Sequence, residues 1–160
     1  MTTSTHETEI VSDPHVPLVR ITREFDAPPE KVFRAHTDPE LVVQWLGPSR
    51  HTTRIEQWDC RTLGSYRYVM SSDGNEFGFH GCFHEVRPSE VIVQTFTFDG
   101  QPDGVALERI EFEDVGDGRT RLSSWSLVDT FEARDAFVAS GMEEGVVEGY
   151  QRLDDLLARS

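Results

Sequence analysis

The histidines of this sequence could do acid–base or metal chemistry, but their spacing argues against a metal site. The chain contains six histidines. His80 and His84 lie in a segment that predicts a strand, where four residue steps separate their Cα atoms by about 13 Å at ~3.3 Å per residue. A single ion cannot contact both side chains at that distance. The sequence therefore predicts no metal site, and without a phosphate-binding loop or a nucleophile elbow it predicts no cofactor.

Arginine and carboxylate side chains in the strand-like segments could orient a carbonyl substrate. They are Arg54, Arg67, Arg109, Glu76, Glu108 and Glu111. Such residues usually form cross-strand pairs on the solvated face of an antiparallel sheet, and we interpret these as surface pairs. In the alternative, an acid or base such as His80 or Glu76 points inward and a tyrosine hydroxyl polarises a carbonyl. Burial would then have to shift the pKa of that acid or base.

Aromatic side chains form the more informative set. They recur on one parity of the strand-like segments, where Tyr66 and Tyr68 alternate with Arg67, and Phe77 alternates with Gly78. Aromatic walls with a few polar tips suit a planar apolar ligand held by one or two hydrogen bonds. The residues predicted to line such a site are Trp45, Tyr66, Tyr68, Met70, Phe77, Phe79, Phe96, Trp125, Met142 and Tyr150. The alternative, that these rings only fill a core beneath a helix, is left open.

The elements that must position these residues follow from periodicity and start signals. Residues 18–25 predict a strand, and proline-containing start signals at 26–30 and 38–40 predict two short helices. Between residues 51 and 130, apolar residues alternate at period two and turn residues recur at regular intervals. This pattern predicts six strands joined as hairpins.

After Asp129 the spacing of apolar residues becomes helical. The run from Met142 to Leu157 predicts one amphipathic helix of about five turns. We expect this helix to lie across the concave apolar face of the sheet, because both elements then bury their apolar sides. Gly145 and Gly149 are expected to leave room for a ligand below the helix.

Composition and length limit the domain organisation and the partners. One domain over residues 18–160 is expected, preceded by a flexible polar tail at residues 1–17. A net charge of −14 argues against nucleic acid and anionic membranes as partners. No apolar run spans a bilayer and no signal peptide is visible, so a cytoplasmic protein without membrane insertion is predicted. Cys60 and Cys82 form no paired motif and are expected to be reduced packing residues.

Short motifs in fixed order carry a resemblance to a known family. They are APPEKVFRA at 27–35, TDPEL at 37–41, WLGP at 45–48, EVRP at 85–88, GRTRL at 118–122, GMEEG at 141–145 and YQRLDDLL at 150–157. In this order they resemble the family of the activator of the ninety-kilodalton heat-shock-protein ATPase, within the START-like, polyketide cyclase and lipid-transport superfamily. The resemblance covers residues 18–159. It implies an α+β helix-grip fold, in which a curved antiparallel sheet wraps around a long C-terminal helix.

The same resemblance leaves three classes of function, because the superfamily contains binders, enzymes and co-chaperones. The leading expectation is non-catalytic binding of a small hydrophobic or aromatic molecule in an internal cavity. The alternatives are a cyclase, dehydratase or hydrolase acting in the same cavity, and a co-chaperone-like interaction protein with an acidic surface. A homodimer is left open as an assembly.

Overall fold

The computed structural model describes residues 6–159, and within them the chain forms eight strands and four helices. The strands are β1 (Glu9–Ser12), β2 (Leu18–Phe25), β3 (Thr52–Trp58), β4 (Ser65–Ser72), β5 (Asn75–Arg87), β6 (Val91–Phe98), β7 (Ala106–Gly116) and β8 (Arg119–Leu127). The helices are α1 (Pro29–Thr37), α2 (Pro39–Trp45), α3 (Phe131–Ala139) and α4 (Met142–Arg159). The two short helices after β2 and the six strands from β3 to β8 stand where the sequence predicts them.

The strands form a single antiparallel sheet whose order explains how it closes around a helix. The order is β1-β2-β8-β7-β6-β5-β4-β3, so β3 to β8 follow one another as hairpins while β2 joins β8. Register shifts at Ile55/Gln57, Phe83/Glu85 and Asp114/Gly116 mark bulges, which bend strands locally. The curved sheet grips α4, and the predicted α+β helix-grip fold is confirmed.

The short helices begin and end on local signals. Pro29 and Pro39 occupy the first turns of α1 and α2, where the missing N–H would be unpaired in any case. Asp38 ends α1 and caps α2, because its carboxylate accepts a hydrogen bond from the N–H of Glu40 at 3.0 Å. The two helices therefore meet at one residue and turn sharply over the sheet.

The core lies between the concave face of the sheet and the helices. Its fully buried members include Phe25, Phe83, Leu122 and Leu153. Strand alternation places the first three on the concave face, and Leu153 comes down from α4. Beside them, Arg23 of β2 donates to Asp154 of α4 at 2.6 Å, which ties the helix to the sheet.

The expectation of a flexible tail over residues 1–17 is wrong for part of that range. Glu9–Ser12 forms β1 and pairs with β2 along the sheet edge. Arg134 of α3 then donates to the backbone carbonyls of Asp13 at 2.8 Å and Leu18 at 3.0 Å, which fixes the connection. Four residues of modest hydropathy at an edge give almost no sequence signal, and that is why the strand was not predicted. Residues 1–5 lie outside the described part of the chain.

The C-terminal region contains a helix more than the sequence predicted. The amphipathic helix expected from Met142 is α4, but α3 precedes it as a separate element. The hydroxyl of Thr130 caps α3 by accepting from the N–H of Ala133 at 3.0 Å. Gly141, with φ of +92°, separates the two helices in a conformation that favours glycine.

Candidate functional site

Aromatic rings from three neighbouring strands form a continuous row on the concave face. Tyr68 stacks on Phe79 with ring centroids 5.3 Å apart, and Phe79 stacks on Phe96 at 5.4 Å. Tyr66 continues the row beside Tyr68 at 6.0 Å. Phe79 and Phe96 stay half-buried although they face the helix side. The row therefore presents flat apolar surface that the core does not fully cover.

Helix α4 faces this row with Tyr150. The Tyr150 ring meets Phe25 edge-on at 5.4 Å and lies 6.1 Å from Trp45 of α2. Ser124 on β8 lies close enough to the Tyr150 hydroxyl to lower its pKa slightly against the effect of burial. Met70 is buried on the concave face, and Met142 is half-buried at the start of α4. The rings of Tyr150 and Trp45 thus close the interior from the helix side.

Two of the predicted lining residues are placed differently. Trp125 lies on the convex face of the sheet, away from α4, where it stands opposite Arg20 and Arg109. It is three residues from the buried Leu122, and an odd spacing along an unbroken strand puts two side chains on opposite faces. The prediction for Trp125 is therefore wrong. Phe77 shares the concave parity but is 37% exposed at the rim.

The two glycines of α4 do not leave space for a ligand, and that expectation is also wrong. A Cβ built on Gly149 would stand 3.1 Å from the Trp45 carbonyl oxygen, and one on Gly145 would stand 3.4 Å from Pro48. Both glycines face the end of α2 and allow the two helices to approach closely. Sequence spacing alone cannot show which neighbour a glycine faces.

Several polar tips of the interior are already occupied. The Tyr66 hydroxyl donates to the carbonyl of Thr95 at 2.6 Å, and the Trp45 indole N–H donates to the carbonyl of Ala35 at 2.9 Å. Within residues 6–159 the Tyr68 hydroxyl makes no hydrogen bond. It is also absent from the fully buried polar atoms that lack a partner, so its oxygen keeps some solvent-accessible surface. Tyr68 therefore offers a free polar group beside the aromatic row.

Sequence reasoning missed Glu108, which lies on the concave face and not on the surface. Gln94, Glu108 and Ser126 stand in register on β6, β7 and β8. The carboxylate accepts from Gln94 Nε2 at 3.0 Å and from Ser126 Oγ at 2.6 Å. A signal was present, because Glu108 shares the strand parity of Phe112, a core residue, and of Ile110, which packs against the core.

The groups that hydrogen-bond to Glu108 are polar but neutral. Burial raises the pKa of the Glu108 carboxyl, and the hydrogen bonds from Ser126 and Gln94 oppose that change. In the part of the chain that the structure describes, no cation shifts its pKa. Burial, together with the nearby Glu108 charge, raises the pKa of the Tyr68 and Tyr150 hydroxyls. These hydroxyls therefore stay protonated as hydrogen-bond donors.

His36 adds a neutral polar group from α1. Its ring packs against Trp45 at 4.8 Å and Phe112 at 5.2 Å between centroids. Burial lowers the pKa of His36 to about 4, so the imidazole is neutral at neutral pH. Nδ1 then donates to the carbonyl of Val32 at 2.8 Å, and Nε2 is left as an acceptor.

The groups proposed from sequence as inward-facing acids or bases lie on the convex side. His80 contacts Asp99 at 2.9 Å, and Glu76 pairs with Arg54 at 3.2 Å, both in exposed positions. Arg67 and Arg109 also form surface ion pairs, with Asp99 at 2.6 Å and Glu111 at 3.4 Å. Among the described residues, no group of three His, Cys, Asp or Glu side chains could hold a metal ion.

Two depressions on the surface lie away from the aromatic row. One of about 500 Å³ is lined by residues such as Leu63, His84 and Arg109, and one of about 330 Å³ by residues such as Glu90 and Ser123. Neither has any of the ten predicted site residues in its lining. The row of rings lies on the opposite, concave face, where Phe77 at the rim is the most exposed of the predicted rings.

Comparison with known proteins identifies the family. The sequence model of the family "Activator of Hsp90 ATPase homolog 1-like protein" matches residues 26–158. The chain belongs to this family. No curated protein matches its sequence significantly.

Solved structures of bacterial proteins share the fold of this family member over almost the whole chain. A Rhodobacter sphaeroides protein has 28% identity and a TM-score of 0.87, covering 96% of this chain and 100% of that one. A Chromobacterium violaceum protein has 27% identity and a TM-score of 0.76, covering 87% and 96%. A Mycobacterium smegmatis protein has 23% identity and a TM-score of 0.85, covering 94% and 97%. The likeness to the Mycobacterium protein shows the fold alone.

In this family member the aromatic rings and Glu108 lie on the same concave face of the sheet. None of the described helices is long and apolar enough to cross a bilayer.

Proposed function

We propose that this member of the family binds a small, flat, largely apolar molecule between the concave face of the sheet and α4, without converting it. The observation that carries the proposal is the stacked row Tyr68, Phe79 and Phe96, whose last two rings keep accessible surface beneath the helix. A planar ligand would extend this stacking, which is favourable at ring separations of roughly 4.5 to 7 Å. The free Tyr68 hydroxyl would orient the ligand.

The engaged polar groups support binding over catalysis. Tyr66 donates to the Thr95 carbonyl, so its hydroxyl is not free to polarise a substrate. The predicted base His80 contacts Asp99 on the convex face. The cytoplasmic location, the homodimer and the co-chaperone-like interaction stay predictions from sequence.

Glu108 is the observation that favours an enzyme as the second candidate. A carboxyl whose pKa is raised by burial is a usual general acid or base. It stands near the Tyr68 hydroxyl, whose pKa responds to the Glu108 charge. An enzyme of the cyclase, dehydratase or hydrolase type would use this pair on a hydrophobic substrate. Chemical change of a bound ligand on prolonged incubation, lost in Glu108→Gln, would favour that function over simple binding.

The test of binding uses a fluorescent probe and two variants of neighbouring residues. Aminoanthracene is flat and apolar, and its emission rises when it leaves water. We expect saturable micromolar binding to the parent chain. Ile110→Phe adds volume on the concave face and should abolish binding, whereas Glu111→Phe adds the same ring on the exposed face and should not. Absence of saturable binding to the parent, or equal binding to both variants, would contradict the proposal.

A further inference from the structure

We infer that the interior selects organic cations: the ligand carries a protonated amine on a flat apolar body, and the amine pairs with the Glu108 carboxylate while the body stacks on Phe79 and Phe96. This inference rests on the proposed function, because it names the class of molecule that the same site would take.

The hydrogen bonds of Glu108 leave it able to accept more. A carboxylate has about four acceptor positions on its two oxygens. Gln94 occupies one position on Oε1 at 3.0 Å, and Ser126 occupies one on Oε2 at 2.6 Å. These two donors hold the carboxylate in a fixed orientation across the sheet. Acceptor capacity remains on both oxygens for a donor that arrives from the interior.

An ionised Glu108 would have no cation paired with it in the described part of the chain. None of its described neighbours within ion-pairing distance is a lysine, an arginine or a histidine. The Glu108 side chain is half-buried, and a carboxylate that loses part of its hydration is destabilised when no cation replaces it. A bound ammonium group would supply the missing charge and form strong charge-assisted hydrogen bonds.

The titratable groups around Glu108 do not supply a positive charge that could pair with it. Tyr66 and Tyr68 on β4 and Tyr150 on α4 are protonated phenols, and His36 on α1 is neutral at neutral pH. Arg23 on β2 is the cation on this face, but it is paired with Asp154 at 2.6 Å. Arg23 is therefore already balanced and leaves the Glu108 charge for a ligand.

The aromatic row and the overall charge favour the same class of ligand. The faces of aromatic rings attract cations, and Tyr68, Phe79 and Phe96 stand in one row on the face that carries Glu108. The net charge of −14 raises the local concentration of cations and lowers that of anions such as fatty acids. An anionic ligand would meet repulsion both on approach and at Glu108.

The experiment compares three probes with one ring system. Naphthylmethylamine, naphthylmethanol and naphthoate are titrated calorimetrically into the full chain at about pH 8, where the amine is largely protonated and carboxylates are ionised in water. The amine should bind about tenfold more tightly than the alcohol, and naphthoate should bind most weakly. Glu108→Gln should remove the preference for the amine. The matched control Glu111→Gln removes the same charge from the exposed face of β7 and should keep the preference.

Each outcome decides between the two claims. Equal affinity of amine and alcohol for the parent chain, or tightest binding of naphthoate, would overturn the inference and leave the proposed function standing. If none of the three probes binds, the proposed function fails and the inference fails with it. The comparison of probes in the parent chain needs no variant, so a Glu108→Gln chain that did not fold would still leave the inference open to refutation.

Discussion

Carboxylates on the convex face of the sheet stand beside arginines, whereas Glu108 on the concave face stands beside a glutamine and a serine. On the convex face Glu56 contacts Arg54 and Arg67, both at 2.8 Å. On the concave face Glu108 accepts only from neutral donors in the described chain. The same residue type therefore has two roles in one sheet, and strand parity decides which role it has.

The energetics of the two faces differ in the same way. Exposed ion pairs contribute roughly 0 to 1 kcal/mol, because water already solvates both charges. A carboxylate facing the interior loses hydration without a compensating cation. The presence of charged pairs on the convex face is thus explained by solubility and strand pairing. The presence of a carboxylate at Glu108 is not explained by a contribution to stability. This difference is the reason to look for a ligand on the concave face.

The largest expected effect tests the assignment of faces on a single strand. Leu122→Ala should destabilise the domain by about 2 to 5 kcal/mol, because Leu122 is fully buried on the concave side of β8. Trp125→Ala, although it removes a larger side chain, should cost about 1 kcal/mol because its ring lies on the convex face. Urea unfolding of both variants gives the two values. A larger loss for Trp125→Ala would reverse the face assignment.

The next largest effect concerns His36 and the loss of folding stability at acidic pH. The pKa of His36 falls from 6.5 unfolded to about 4 folded, so between these values the unfolded state binds the extra proton. The stabilisation is present above pH 6.5 and is lost as the pH falls towards 4, by about 2 to 3 kcal/mol. His36→Phe keeps the ring and should flatten this dependence. Parallel pH profiles for the parent and variant would show that His36 is not buried.

Glu108 should have the opposite dependence on pH. Burial raises the pKa of its carboxyl in the folded state, so stability is fully present below the ordinary value of 4.5 and is lost as the pH rises through the folded value. Glu108→Gln should therefore gain stability relative to the parent as the pH rises. Glu111→Gln serves as the surface control. A variant equally destabilised at every pH would mean that the carboxylate is needed for packing.

The smallest effect is expected for the convex ion pairs. Asp99→Asn weakens contacts with Arg67 and His80, whose side chains are 37% and 48% exposed. The change in the urea midpoint should be close to the detection limit, since such pairs lie largely in water. A loss as large as that for Leu122→Ala would show that charge pairing on the convex face holds the sheet together.

Much of the fold could be predicted because local signals and parity agree over most of the chain. The start signals around Pro29 and Pro39 and the alternation from β3 to β8 are local properties. The four-residue edge strand β1 depends on a neighbour, so its own sequence shows little. Only the packed structure shows that Gly149 faces the Trp45 carbonyl.

The site could be predicted in part for the same reason. Tyr66, Tyr68 and Phe79 follow alternation along their strands, and the bulge in β5 comes after Phe83, so their parity is kept. Residue type alone favours a lining role for Trp125, but its spacing of three residues from Leu122 places it on the other face. Residue type favours the surface for Glu108, because glutamate is usually exposed, whereas its parity with Ile110 places it on the concave face.

A crystal structure of the full chain with naphthylmethylamine tests ligand binding through Glu108 most directly. We expect the ammonium nitrogen about 3 Å from a Glu108 carboxylate oxygen, with the naphthalene ring stacked along the row of Tyr68, Phe79 and Phe96. A probe bound instead in the depression lined by His84 and Arg109, or an interior closed by its own side chains, would contradict the central claim that the concave face holds a ligand through Glu108.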